Sequence, residues 1–83
     1  MTYELSQHAR DVIAERQIEI EWIERVLDHP QRNEPDRFDP ELRHHLGKIP
    51  EFEDRVLRVV FNPSAYPLRI ITVYFDRAMK GKL

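Results

Sequence analysis

The chain contains no cysteine, only two glycines, and no apolar run approaching the length of a membrane span. Without cysteine there are no disulfides, thiolate metal ligands or cysteine nucleophiles. Glycine stands only at positions 47 and 81, which excludes a glycine-rich loop cradling a phosphate. A Gly-x-Ser-x-Gly nucleophile elbow is also missing, and Ser6 and Ser64 read as a helix cap and a turn residue. No stretch has the ~18 apolar residues that cross a bilayer, and Met1 is not followed by the basic segment and apolar core of a signal peptide. The expectation is a soluble, cytosolic protein with no membrane partner. Histidine is scarce too. There are four, with no His-x-x-x-His pair, and the adjacent His44 and His45 would point to opposite faces of a strand. Neither a metal site nor a cofactor is expected.

What is present is the balance of a folded protein, 34% charged and 41% hydrophobic, and 83 residues allow a single domain over 1–83. The net charge of −2 hides an asymmetry. Residues 1–54 carry 7 basic and 14 acidic side chains, whereas residues 55–83 carry 6 basic ones and a single acid, Asp76. Such a division points to a polyanion-binding face, or else to acidic helices and basic strands that neutralise each other.

Ser6 can cap a helix in which Leu5, Ala9, Val12 and Ile13 recur at helical spacing, ending near Gln17. Trp22 with Val26 and Ile23 with Leu27 are i, i+4 pairs, which predicts a second helix from about Glu19 to Asp28, stopped by Pro30. Pro30, Pro35 and Pro40 make residues 30–41 an irregular connection, with room for an edge strand near Arg32–Phe38. Leu42–Ile49 reads as a strand in which Gly47 marks a bulge. Arg55–Phe61 and Leu68–Phe75 are strong strands joined by a proline-rich turn, forming a hairpin. On simple alternation, Arg69, Ile71 and Val73 share one face of the last strand, and Leu68, Ile70, Thr72 and Tyr74 share the other. The fold class is α+β, a helical hairpin packed on a three- or four-stranded antiparallel sheet. Its predicted core is Val12, Ile13, Trp22, Ile23, Val26 and Leu27 against Val59 and Ile71.

Few chemistries remain open to such a chain. RNA cleavage is one, because RNA carries its own nucleophile, the 2′-hydroxyl. The protein need supply only proton transfer and cations for the phosphate. His8, Arg16, Arg58, Thr72, Tyr74, Arg77 and Lys80 form an inventory for that task. Each has a plainer use: His8 as a first-turn polar residue, Arg16 and Arg58 as partners of the acidic helices, Thr72 and Tyr74 as strand formers. Arg58 interrupts an apolar strand, so its guanidinium either meets a carboxylate from the helices or is presented in a cleft; the basic tail that follows favours the cleft.

The segments Ser6-Gln7-His8-Ala9-Arg10, Ala14-Glu15-Arg16-Gln17-Ile18 and Ile23-Glu24-Arg25-Val26-Leu27-Asp28-His29-Pro30 resemble the opening of a bacterial domain-of-unknown-function family numbered 4258. Ile49-Pro50-Glu51-Phe52, Arg55–Val60 and Thr72–Arg77 resemble its strand signatures, so the likeness runs from about residue 3 to 80. By arrangement the family is similar to the BrnT and RelE/ParE-like toxins. The resemblance implies a metal-independent endoribonuclease, active or degenerate, with RNA and a small antitoxin-like protein as partners. Carried over by position, it implies His8 as the proton-transfer group, with Arg16, Arg58 and Thr72 as its further site residues. Tyr74 would stack a base or act as acid, Arg58 and Arg77 would clamp phosphate, and Lys80 would add charge. The alternative implied by the same fold is a non-catalytic protein-interaction module. Gln17 stands where the family has glycine, from which a turn without positive φ is expected.

Overall fold

In the computed structural model, which describes residues 2–83, Ser6 joins the first strand to the first helix. Strand β1 (Tyr3–Leu5) leads into helix α1 (Gln7–Arg16), and helix α2 (Ile20–Asp28) follows within a few residues. Four further strands are β2 (Arg32–Pro35), β3 (Arg43–Ile49), β4 (Arg55–Asn62) and β5 (Leu68–Phe75). Short 3-10 turns over Pro50–Phe52 and Arg77–Met79 precede β4 and follow β5.

The strands form one sheet in the order β1-β5-β4-β3-β2. Strands β2 to β5 run antiparallel to their neighbours, but β1 lies parallel to β5, with Tyr3 opposite Leu68 and Leu5 opposite Ile70. The sheet is therefore five-stranded and mixed, where three or four antiparallel strands were expected. Three residues make too short a strand to leave a legible alternation.

Ser6 serves both elements it joins. Its Oγ accepts the N–H of Ala9 at 3.0 Å, capping α1, and its hydroxyl donates to the Ile71 carbonyl at 2.7 Å. At the other end of α1, Gln17 takes φ 54°, a left-handed conformation, and its N–H reaches the Ile13 carbonyl. The expectation of a turn without positive φ is thus corrected. Reversing direction within three residues needs the left-handed cap whatever residue supplies it.

The helices cover one face of the sheet. Ile23, Val26 and Leu27 pack with Ile49, Leu57, Val59, Phe61, Ile70 and Val73, while Val12, Ile13 and Trp22 lie at the margin, half-buried. Gly47 makes no bulge, since it pairs in register with Leu57. It lies instead beneath α2, and a Cβ there would stand 2.9 Å from Val26 Cγ2. Glycine lets the helix approach the sheet.

The irregularity falls in the last hairpin. Val60 faces Thr72 and Phe61 faces Ile70, so Ile71 is an extra residue on β5. The bulge changes the parity of the strand and corrects the face assignment. Leu68 and Ile70 join Val73 and Phe75 against the helices, while Ile71 drops out of the core and is only half-buried. Tyr3 ties β1 to α2, its hydroxyl donating to Glu24 Oε2 at 2.8 Å, and burial with that carboxylate pushes the phenol up to about 12. Among the described residues no helix is long and apolar enough to cross a membrane.

Candidate functional site

Because β1 covers β5 only over Leu68–Ile70, the second half of β5 has an open edge. Asp76 donates its N–H to the Val56 carbonyl, so Tyr74 and Thr72 also turn their backbone groups toward β4. The amides and carbonyls of Val73 and Phe75 then point outward. Beside this edge lies a groove of about 590 Å³. Helix α1 lines it with His8, Val12, Glu15 and Arg16, and Thr72 to Phe75 supply the strand side. Phe52, Arg55 and Arg77 close its far end.

Its charge is one-sided. Arg16, Arg55 and Arg77 face Glu15 as the lone carboxylate of the lining, and none of the three arginines makes an ion pair among the described residues. Arg55 lies over the rings of Phe52 and Phe75, with its guanidinium carbon 4.8 and 5.3 Å from their centroids. Those rings belong to a cluster in which Trp22 stacks on Phe52 at 5.4 Å. The turn bearing Phe52 is fixed in turn by Arg25, which donates to both oxygens of Glu51 at 2.8 and 2.7 Å. That bond holds the Glu51 carboxyl down to about 2. Arg55 follows Glu53 and Asp54, both in left-handed backbone, at the tight return from β3. Aromatic faces thus hold a cation whose N–H donors are not engaged by the protein.

Five of the residues singled out in the sequence border this groove: His8, Arg16 and Arg77, with Thr72 and Tyr74 only as part of the strand edge. These two lie opposite Val60 and Arg58 and project their side chains from the sheet face away from the helices. Tyr74 is two-fifths exposed, and burial raises its phenol above the ordinary value, aided by Asp76, Asp36 and Glu34 and opposed by Arg58. Lys80 lies just beyond, in a small cavity that shares Arg55, Phe75 and Arg77 with the groove.

Arg58 does not join them, which corrects the expectation of a cleft. It sits on the sheet face away from the helices and is enclosed by carboxylates. Its Nε and Nη2 donate to Asp76 Oδ2 at 3.0 and 2.8 Å, and Nη1 donates to Glu34 Oε1 at 3.0 Å. Burial works against its charge, but the bonds to Asp76 and Glu34 outweigh that and raise its pKa. The carboxylates come from β2 and from the residue after β5, not from the helices as the alternative had it. Arg58 Nη1 also meets His44 Nδ1 at 2.8 Å, and His44 Nε2 meets Asp36 Oδ1 at 2.7 Å. A guanidinium can only donate, so Nδ1 accepts and the ring proton resides on Nε2. His45 faces the other way, donating from Nδ1 to the Leu27 carbonyl at 2.9 Å, and burial lowers its pKa. The two histidines do point to opposite faces, and among the described residues no three His, Asp or Glu side chains gather as a metal site.

Arg55 is the groove residue that sequence reading missed. The available signal was Phe52 three residues before an arginine opening a strand, with Phe75 opposite Leu57 on the neighbouring strand.

The family model described as "Domain of unknown function (DUF4258)" matches residues 5–75, and the chain belongs to that family. Neither the curated proteins nor the solved structures contain a match.

Proposed function

We propose that this member of the family is a metal-independent, toxin-like endoribonuclease that holds RNA along the groove between α1 and the open edge of β5. The observation that carries the reading is the convergence of His8 and three carboxylate-free arginines, Arg16, Arg55 and Arg77, on one concave surface. Guanidinium groups match phosphate oxygens in pairs, and a concave site strengthens their attraction to charge developing on phosphorus. His8 takes the proton of the 2′-hydroxyl as that oxygen attacks the adjacent phosphorus. The bond from phosphorus to the 5′-oxygen breaks, and water in the open groove supplies the proton to that leaving oxygen, since the Tyr74 phenol lies on the Arg58 face of the sheet. The products are a 2′,3′-cyclic phosphate and a free 5′-hydroxyl. Arg55 takes the clamping role that Arg58, bound to Asp76 and Glu34, is not free to perform. The likeness to BrnT and RelE/ParE-like toxins belongs to this proposal, supported by two helices followed by the antiparallel strands β2 to β5.

The test is incubation of the purified chain with end-labelled single-stranded RNA in EDTA. Cleavage should leave cyclic phosphate ends, cease when the nucleotide at the cut carries no 2′-hydroxyl, and fail in His8→Ala with the circular dichroism spectrum intact. Binding should weaken steeply with salt. Absence of RNA affinity at low salt overturns the reading. The outward backbone groups of Val73 and Phe75 would then favour the second reading, a non-catalytic module that adds a strand from a small antitoxin-like protein.

A further inference from the structure

Next to the groove, and continuous with it through Arg55, Phe75 and Arg77, is a cavity of about 40 Å³ whose remaining lining is Val56, Asp76 and Lys80. We infer that this cavity is a subsite for a second phosphate group, so that the preferred ligand is an RNA segment carrying a phosphate next to the one held beside His8. The inference rests on the RNA reading of the groove and deepens it.

Size and charge select the occupant. A volume near 40 Å³ suits a group of a few heavy atoms, such as a phosphate, better than a ribose or a base. Three cations, Arg55, Arg77 and Lys80, border it, and none makes an ion pair among the described residues. Asp76, the only carboxylate of the lining, would cancel them if it turned inward, but it is committed elsewhere. Its Oδ2 accepts two N–H groups from Arg58, and its Oδ1 accepts the N–H of Ala78 at 3.0 Å. The Arg58 network therefore withholds a negative charge from the cavity. Arg55 is positioned in advance by Phe52 and Phe75, so a phosphate arriving there meets a donor fork that need not be ordered on binding.

The experiment titrates the full chain with dinucleotides made uncleavable by 2′-deoxy substitution at the scissile position. They are compared without a terminal phosphate, with a 5′-phosphate and with a 3′-phosphate, and inorganic phosphate is measured alongside. One of the phosphorylated forms should bind roughly tenfold more tightly than the unphosphorylated one. In Lys80→Ala that ratio should fall toward one, whereas Arg16→Ala should weaken all the dinucleotides together and preserve the ratio. Equal binding of all three dinucleotides overturns the subsite and leaves the groove reading standing. Inorganic phosphate binding as tightly as the preferred dinucleotide overturns it as well, by making the cavity a free-anion site. If no dinucleotide binds, the groove reading itself fails and the subsite with it.

Discussion

Arg58 directs two of its nitrogens at a single oxygen of Asp76, at 3.0 and 2.8 Å, and both side chains are largely withdrawn from solvent at 12 and 16% exposure. A half-buried pair of this kind costs more to break than it contributed when made. Arg58→Ala should therefore lower the unfolding free energy by about 2–4 kcal/mol, since Asp76 loses its cationic partner and Glu34 is left with Arg32 alone. Arg55→Ala, which removes a cation resting on aromatic rings, should cost about 1 kcal/mol or less and act mainly on RNA affinity. Urea denaturation of both variants beside an RNA titration checks the contrast.

Ser6→Ala removes a cap and a cross-link at once. Losing the bond to Ala9 costs about 1 kcal/mol, and leaving the carbonyl of Ile71 without its donor adds about 1–2 kcal/mol. The combined loss, about 2–3 kcal/mol by denaturant melting, should exceed that of an ordinary cap.

Gly47→Ala places a methyl group against Val26. The expected cost is about 1–3 kcal/mol. Pairing it with Val26→Ala should cost less than the sum of the two single changes, because the second makes room for the first. A double-mutant cycle reads that coupling.

Gln17 holds a left-handed conformation that a side chain disfavours and glycine does not. Gln17→Gly should stabilise the chain by about 0.5–1 kcal/mol, visible as a higher Tm.

Acid should act through Asp36 and Glu51. Asp36 accepts backbone N–H groups from Asp39 and Phe38 and a bond from His44, which bring it down to about 2, as Arg25 does for Glu51. Both lie below an unfolded carboxyl, near 4, so the folded chain binds fewer protons there. Their contribution is fully present above pH ~4.5 and is lost as pH falls toward ~2. Stability measured across that window should fall less steeply in Asp36→Asn.

The helices, β3 and the final hairpin were legible because each repeats an apolar pattern long enough to reveal its period, as Ile23, Val26 and Leu27 do on α2. β1 was not, for three residues carry no period, and its partner lies at the far end of the chain. The groove was half legible. His8 and Arg16 share a helix face, and Thr72, Tyr74 and Arg77 follow along one strand and its exit. Arg58 was misjudged because its partners, Glu34 and Asp76, come from segments 24 and 18 residues away that only the sheet brings together. Arg55 was passed over because its significance lies in Phe75, which is remote in sequence. Alternation failed along β5 because the bulge at Ile71 cannot be read from residue types that suit either face.

The bond from Ser6 to Ile71 spans 65 positions, and the groove beside it needs α1 from the start of the chain and Arg77 from near its end. Synthesis proceeds from the N-terminus, so His8 and Arg16 leave the ribosome long before β5 exists to stand opposite them. A nascent chain that stops short of β5 lacks one wall of the groove, and one that stops short of residue 77 lacks a third of its arginines. An activity seated there and directed against RNA would stay dormant while the protein is being made, and the message and ribosome producing it would be spared until the last strand is in place.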